Sequence, residues 1–156
     1  MSYRQTLGDW GEDLAAKLLG QAGFTDIVML NDGRPNHPGG DLLASLQNTK
    51  YLFSVKARDR FMKSGAINWG YNIYPEKVIA ASKRYEAVPA WLVVRADRRD
   101  NTACVFWGMI SEIPASRNNP NCVHISMIDS ATINYRCLAK DMLEVAIKDI
   151  FSDKGY

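Results

Sequence analysis

Between Leu7 and Ala22 the apolar residues Leu14, Ala15, Leu18, Leu19 and Ala22 recur at helical spacing, and Gly23 is a natural stop. The rhythm then changes. Thr25 to Leu30 reads as a strand closed by an Asn31-Asp32-Gly33 turn. A Pro- and Gly-rich loop, RPNHPGG, leads into a second strand from Asp41 to Leu46. Gln47, Asn48 and Thr49 turn the chain back into a third, Lys50 to Ala57, so the pair forms a hairpin. Side chains alternate faces along a strand, which puts Tyr51, Phe53 and Val55 on one side and Leu52, Ser54 and Lys56 on the other.

The stretch DRFMKSGAINWGYNIY reads mainly as a loop. Pro75 suits the first turn of a helix reaching about Glu86, with Val78, Ile79 and Ser82 facing inward. AWLVVRA and ACVFWGMI are two apolar strands joined by the turn RRDNT, and CVHISMI is a further strand. After an unassigned segment, Leu143, Ala146, Ile147 and Ile150 give a closing helix from about Leu138 to Phe151. Helix, three strands, helix, two strands is the order of an α/β (α+β) layer fold around a mixed sheet.

Composition adds limits. The 156 residues suit one domain, and no apolar run approaches the ~18 residues of a membrane helix. Acids beside the first apolar residues argue against a signal peptide. Cys104, Cys122 and Cys137 are an odd count with no CxxC pair, which fits a reducing, cytoplasmic setting and speaks against a disulfide framework or structural zinc. The formal charge of +2 neither demands nor excludes a nucleic-acid partner. Two local runs bear on that question more directly: Lys56, Arg58, Arg60 and Lys63, then Arg95, Arg98 and Arg99. Taken alone, either run is first of all a solvated surface.

Three residues belong together. Glu12 is the acid of the first helix nearest its apolar stripe, whereas Asp13 points away. Asp41 opens the second strand after two glycines that let the backbone bend. Lys56 lies near the end of the adjoining strand, so the hairpin brings it towards Asp41. Two carboxylates can hold Mg²⁺, which prefers oxygen ligands. A nearby lysine can position a water for attack on a phosphodiester and offset the transition-state charge.

The ordered segments GDWGEDLAAKLL, GGDLLA and YLFSVKAR resemble the PD-(D/E)XK nuclease superfamily, which includes restriction enzymes and Holliday-junction resolvases. The resemblance spans about residues 7–109, leaving 110–156 as an extension of a single 1–156 domain. It implies a restriction-endonuclease-like fold, Asp41 as the motif aspartate, Lys56 as the motif lysine (56 − 41 = 15 residues apart) and Glu12 as the first-helix glutamate. It also implies a DNA endonuclease using Mg²⁺, with Mn²⁺ as a substitute, on double-stranded or branched DNA. Ser54 stands where the family has Asp or Glu. Its hydroxyl and the Val55 carbonyl are the substitute ligands this chain offers. Arg58, Arg60, Lys63, Lys77 and His37 are the candidate DNA contacts. Double-strand cutting from one such site calls for a two-fold homodimer.

Blander readings stand beside these. Asp41 is also an ordinary strand-start residue, Lys56 a surface lysine, and Glu12 an acid favoured by the helix dipole. His37 reads first as a solvated loop residue and His124 as structural. Trp69, Tyr71 and Tyr74 either stack on bases or pack against the sheet. The missing acid at Ser54 makes the alternative function a degenerate nuclease fold that binds nucleic acid or protein without cutting. A third reading is an unrelated α/β interaction protein with an Asp41–Lys56 surface pair.

Overall fold

In the computed structural model, residues 6–30, 39–113 and 122–144 are described, together with Ile147 and Ile150. Helix α1 spans Leu7–Gln21. The Thr6 hydroxyl caps it by accepting from Asp9 N at 3.0 Å. Gly23, at φ +99°, ends it, and the Phe24 N–H returns to the Leu19 carbonyl. The buried stripe is Trp10, Gly11, Leu14, Ala15, Leu18 and Leu19, as the spacing predicts.

Strands β1 (Thr25–Met29), β2 (Leu42–Leu46) and β3 (Thr49–Asp59) form an antiparallel meander. Next come β4 (Gly70–Ile73), α2 (Pro75–Arg84), β5 (Val88–Asp97) and β6 (Thr102–Met109). A 3₁₀ turn, then β7 (Val123–Ser126), a one-turn helix α3 (Asp129–Thr132) and β8 (Arg136–Leu143) complete the order. The main sheet has six strands in the order β1-β2-β3-β5-β6-β8, with β3 and β5 parallel and every other neighbour antiparallel. A parallel pair cannot be joined by a tight turn, so the chain crosses over through α2.

That crossover makes two layers over the sheet. On one face, α1 packs its stripe against Phe53, Val55, Leu92 and Val94. Close approach is possible because residue 11 is glycine: a Cβ there would lie 2.6 Å from the Ala57 Cβ. Phe24, Tyr51, Phe53 and Trp107 meet edge-on or tilted in the same core, with centroids 5.4–6.1 Å apart. On the other face, Ala81 of α2 covers Leu43 and Leu52, while Val78 joins Trp91, Val93 and Phe106.

Three expectations need correction. Residues 138–143, read as the start of a closing helix, belong to the edge strand β8. Its half-buried residues Leu138, Ala139 and Met142 fall at i, i+1 and i+4, which imitates a helix. The imitation arises because β8 breaks register with β6 twice, so facing residues no longer alternate by two. Leu143 is 74% exposed rather than inward, whereas Ile147 is fully buried; Ala146 lies outside the described residues. The stretch read as a loop contains β4, which pairs with the distant β7 and so carried no local partner signal. In α2, Ala81 takes the inward place expected of Ile79, because i+3 and i+4 from Val78 are Ala81 and Ser82. No helix among the described residues is long and apolar enough to cross a membrane.

Candidate active site

Asp41 sits at the seam between β2 and β3, held by main-chain and side-chain hydrogen bonds. Its N–H donates to the Phe53 carbonyl and its carbonyl accepts from Leu30 N, each at 2.9 Å. Its Oδ2 accepts the Val55 N–H at 2.7 Å. The carboxylate therefore takes the place of a main-chain acceptor where the β2–β3 ladder runs out. Such a charge-assisted bond fixes its orientation.

The two glycines before it are steric necessities. Gly39 has φ +82°, and a Cβ there would run into the Lys77 carbonyl and lie 2.9 Å from Ala81 Cβ. A Cβ on Gly40 would lie 2.5 Å from Leu52 Cδ1. The bend anticipated from Gly-Gly is real, but the tighter constraint is contact with α2 and with β3.

The close approach leaves a cleft of about 670 Å³ between α2 and the β2–β3 seam. Asp41, Ser54 and Lys56 line its sheet side; Tyr74, Lys77 and Arg84 line its helix side. Ser54 is 8% exposed and Lys56 is half-buried, on the face opposite Phe53 as strand alternation requires. Lys77 Nζ rests 5.3 Å from the centroid of the exposed Tyr74 ring. Among these lining residues three cations face one carboxylate. The net field attracts an anion whose charge is spread over several oxygens.

Of the expected site residues, Asp41, Ser54, Lys56 and Lys77 meet in this cleft. Glu12 does not line it: it is half-buried on α1, the layer on the other face of the sheet. Val55, expected to lend its carbonyl to a metal, lends its N–H to Asp41. Arg58 is exposed beyond the cleft, 6.0 Å over the Tyr71 ring. Arg60 is half-buried and ion-paired with Asp97 at 3.1 Å. Lys63 is exposed on the segment that follows β3. His37 and Asp32 lie outside the described residues.

Sequence reasoning missed Arg84. Its signal was available, since Lys77 and Arg84 are seven residues apart and so share a helix face. The second arginine run is engaged within the protein, contrary to a merely solvated surface. Arg95 donates to the Met127 carbonyl, Arg98 pairs with Asp59 at 3.2 Å, and Arg99 stacks on Phe61 at 3.7 Å. Tyr71 is buried with its hydroxyl donating to the Val94 carbonyl; burial raises its pKa far above the ordinary tyrosine value. Tyr71 therefore belongs to the core, whereas Trp69 and Tyr74 are exposed.

Helices on both faces of a mixed sheet in the order β1-β2-β3-β5-β6-β8 make this a restriction-endonuclease-like fold. The chain resembles the solved structure of Hjc, a Holliday junction resolvase from the archaeal hyperthermophile Archaeoglobus fulgidus, at a TM-score of 0.54. The two share 16% identity over 89% of this chain and 92% of the other, so the likeness defines the fold. No protein-family model matches the chain, and no curated protein matches it by sequence.

The donor set can be tested against a divalent cation. Among the described residues no three His, Cys, Asp or Glu side chains gather at one point. The cleft supplies one carboxylate, Asp41, and the hydroxyls of Ser54 and Tyr74. Mg²⁺ commonly takes only one or two carboxylates and fills the remaining positions with waters and substrate phosphate oxygens. The cleft fits such a shared site and does not fit an all-protein cage.

Proposed function

We propose that the cleft binds the phosphodiester backbone of DNA and hydrolyses it with Mg²⁺, or Mn²⁺ in its place. The observation that carries this reading is the meeting of Asp41, Ser54 and Lys56 with Lys77 and Arg84 in one cleft. Lys77 and Arg84 grip a phosphate from the helix side. Asp41 and Ser54, with the Val55 carbonyl, are the protein's share of the metal site. A divalent ion held by them would polarise the phosphate and supply a bound water of lowered pKa. Lys56 holds the attacking water and offsets charge as the new O–P bond forms and the P–O bond to the leaving alcohol breaks. With one carboxylate in the cleft, metal and DNA bind cooperatively, each weak without the other.

Branched DNA is the substrate class to try beside plain duplex, since the solved structure it resembles is of a Holliday junction resolvase. Concerted cleavage of both strands suits a second copy of the chain, and a homodimer is part of the proposal. Free thiols at Cys104, Cys122 and Cys137 suit a cytoplasmic protein.

A second reading is favoured by Ser54 and by the absence of Glu12 from the cleft: a nuclease fold that binds nucleic acid without cutting it. One experiment separates the two. Supercoiled plasmid and a four-way junction are incubated with the protein in Mg²⁺, Mn²⁺ and EDTA, beside Asp41→Asn and Lys56→Ala. Metal-dependent nicking that both substitutions abolish establishes the enzyme. Binding without nicking in either metal establishes the second reading. Ser54→Glu then tests whether the missing acid silenced the site, by restoring nicking together with metal binding in the absence of DNA.

A further inference from the structure

Helix α2 runs antiparallel to β3, and two contacts fix their relative level. Near one end, Lys50 Nζ, in the second residue of β3, donates at 3.3 Å to the carbonyl of Tyr85, just past the last turn of α2. Near the other, a Cβ on Gly39, two residues before Asp41, would run into the Lys77 carbonyl. The two helix-side cations of the cleft therefore face different parts of the sheet. Lys77 stands opposite Asp41 and the Lys56 end of β3. Arg84, seven residues on, stands about 10 Å further along the helix, level with the start of the strand.

That placement bears on how the leaving group departs. In-line displacement at phosphorus puts the attacking and leaving oxygens on opposite sides. With the attacking water held at the sheet wall by Lys56, the leaving oxygen is turned towards the helix wall. Three donors lie there: Tyr74, Lys77 and Arg84. Arg84 is displaced along the helix, and a guanidinium does not release a proton. A lysine ammonium does: an alkoxide is a far stronger base than a lysine amine, so the transfer runs downhill. The Tyr74 ring centroid lies 5.3 Å from Lys77 Nζ, a cation–π contact that keeps the ammonium at the cleft.

We propose that Lys77 is the general acid of the reaction. The water oxygen bonds to phosphorus and sheds one proton to solvent. The P–O bond to the leaving oxygen breaks, and that oxygen takes one proton from the Lys77 ammonium. The neutral amine regains a proton from solvent, which the exposure of Lys77 permits. Lys56 and Lys77 thus serve the two ends of one displacement from opposite walls. The inference rests on the hydrolytic reading of the cleft.

The test compares a four-way junction with the same DNA carrying sulfur as the leaving atom at the bond wild type cuts, made in 3′- and 5′-bridging forms and cut in Mn²⁺. A thiolate departs without a proton because it is a much weaker base than an alkoxide. Lys77→Ala and Lys77→Arg should cut the oxygen substrate about a hundred-fold or more slowly than wild type, and the sulfur substrate within about five-fold of it. Lys56→Ala should be slow on both. In EDTA, Lys77→Arg should bind the DNA as wild type does, since the charge is kept. Cleavage of the oxygen substrate by Lys77→Arg at the wild-type rate, or equal slowing of Lys77→Ala on both substrates, makes Lys77 a phosphate contact alone. Either result overturns the general acid and leaves the cleft reading standing. Sulfur rescue confined to Tyr74→Phe assigns the proton to Tyr74 and likewise overturns it. Wild type that cuts neither substrate overturns both.

Discussion

Val55 donates its N–H to Asp41 Oδ2 at 2.7 Å, so the candidate catalytic carboxylate is also a structural acceptor of the β2–β3 seam. The two jobs separate by choice of substitution. Asp41→Asn keeps an acceptor at that position and loses the charge; nicking should vanish while the urea midpoint stays within a few tenths of a molar of wild type. Asp41→Ala also strands the Val55 N–H and should cost about 1–3 kcal/mol. Equal stability of the two variants would show that the bond contributes nothing.

Gly39 sets the width of the cleft. Ala in its place must displace the Lys77 carbonyl and Ala81, and it forces a side chain into φ +82°. Gly39→Ala should destabilise by roughly 1–3 kcal/mol and weaken DNA binding, because Lys77 and Arg84 move with the helix. Thermal melting and a salt-controlled binding titration measure the two effects separately.

Asp59 and Arg98 form a pair whose side chains are only 8% and 15% exposed. Removing Asp59 takes the carboxylate away from Arg98, which keeps its donation to the Met62 carbonyl, and strands the Phe61 N–H that Asp59 Oδ1 accepts. Asp59→Ala should therefore lower stability by about 1–3 kcal/mol, more than a surface pair. It should also loosen the turn in which Phe61 bridges Ile67 and in which Met62 N and Asn68 N donate to the Ala66 and Arg60 carbonyls, visible as faster amide exchange at Met62 and Asn68. A change below 1 kcal/mol would assign the pair to the solvated surface.

Glu112 receives hydrogen bonds from Arg136 and from the Met109 N–H, and the Arg136 contact above all holds its carboxyl below the ordinary glutamate range. A depressed folded pKa adds stability above the unfolded value, near 4.3, and that stability is lost as pH falls through the folded value. Both side chains are more than 40% exposed, so the effect is under about 1 kcal/mol. Glu112→Gln should be slightly less stable than wild type at pH 7 and indistinguishable from it near pH 2. A difference that persists at pH 2 would mean the substitution acts through packing instead.

Much of the site could be read from residue order alone. The α1 stripe, the two faces of β3, and the pairing of Asp41 with Ser54 and Lys56 all follow from periods of 3.6 and 2 and from a tight turn. These are local properties: each depends on residues within a few positions of one another. That Ser54 stands where an acid is expected is what the motif resemblance implies.

Only the tertiary structure decided what depends on a distant partner. β4 exists because β7 pairs with it some fifty residues later, and β8 is a strand because β6 offers it an open edge. Whether a charge is a contact or a brace is likewise non-local. Arg60, Arg98 and Arg99 read as surface cations in sequence, yet Asp97, Asp59 and Phe61 bind them within the protein. Glu12 sits at the edge of the helical stripe as its spacing predicts, but α1 lies on the far face of the sheet from the cleft. A helix's own period can say which side faces the core. Which side of the sheet that core occupies is settled by the crossover through α2, and periodicity carries no record of it.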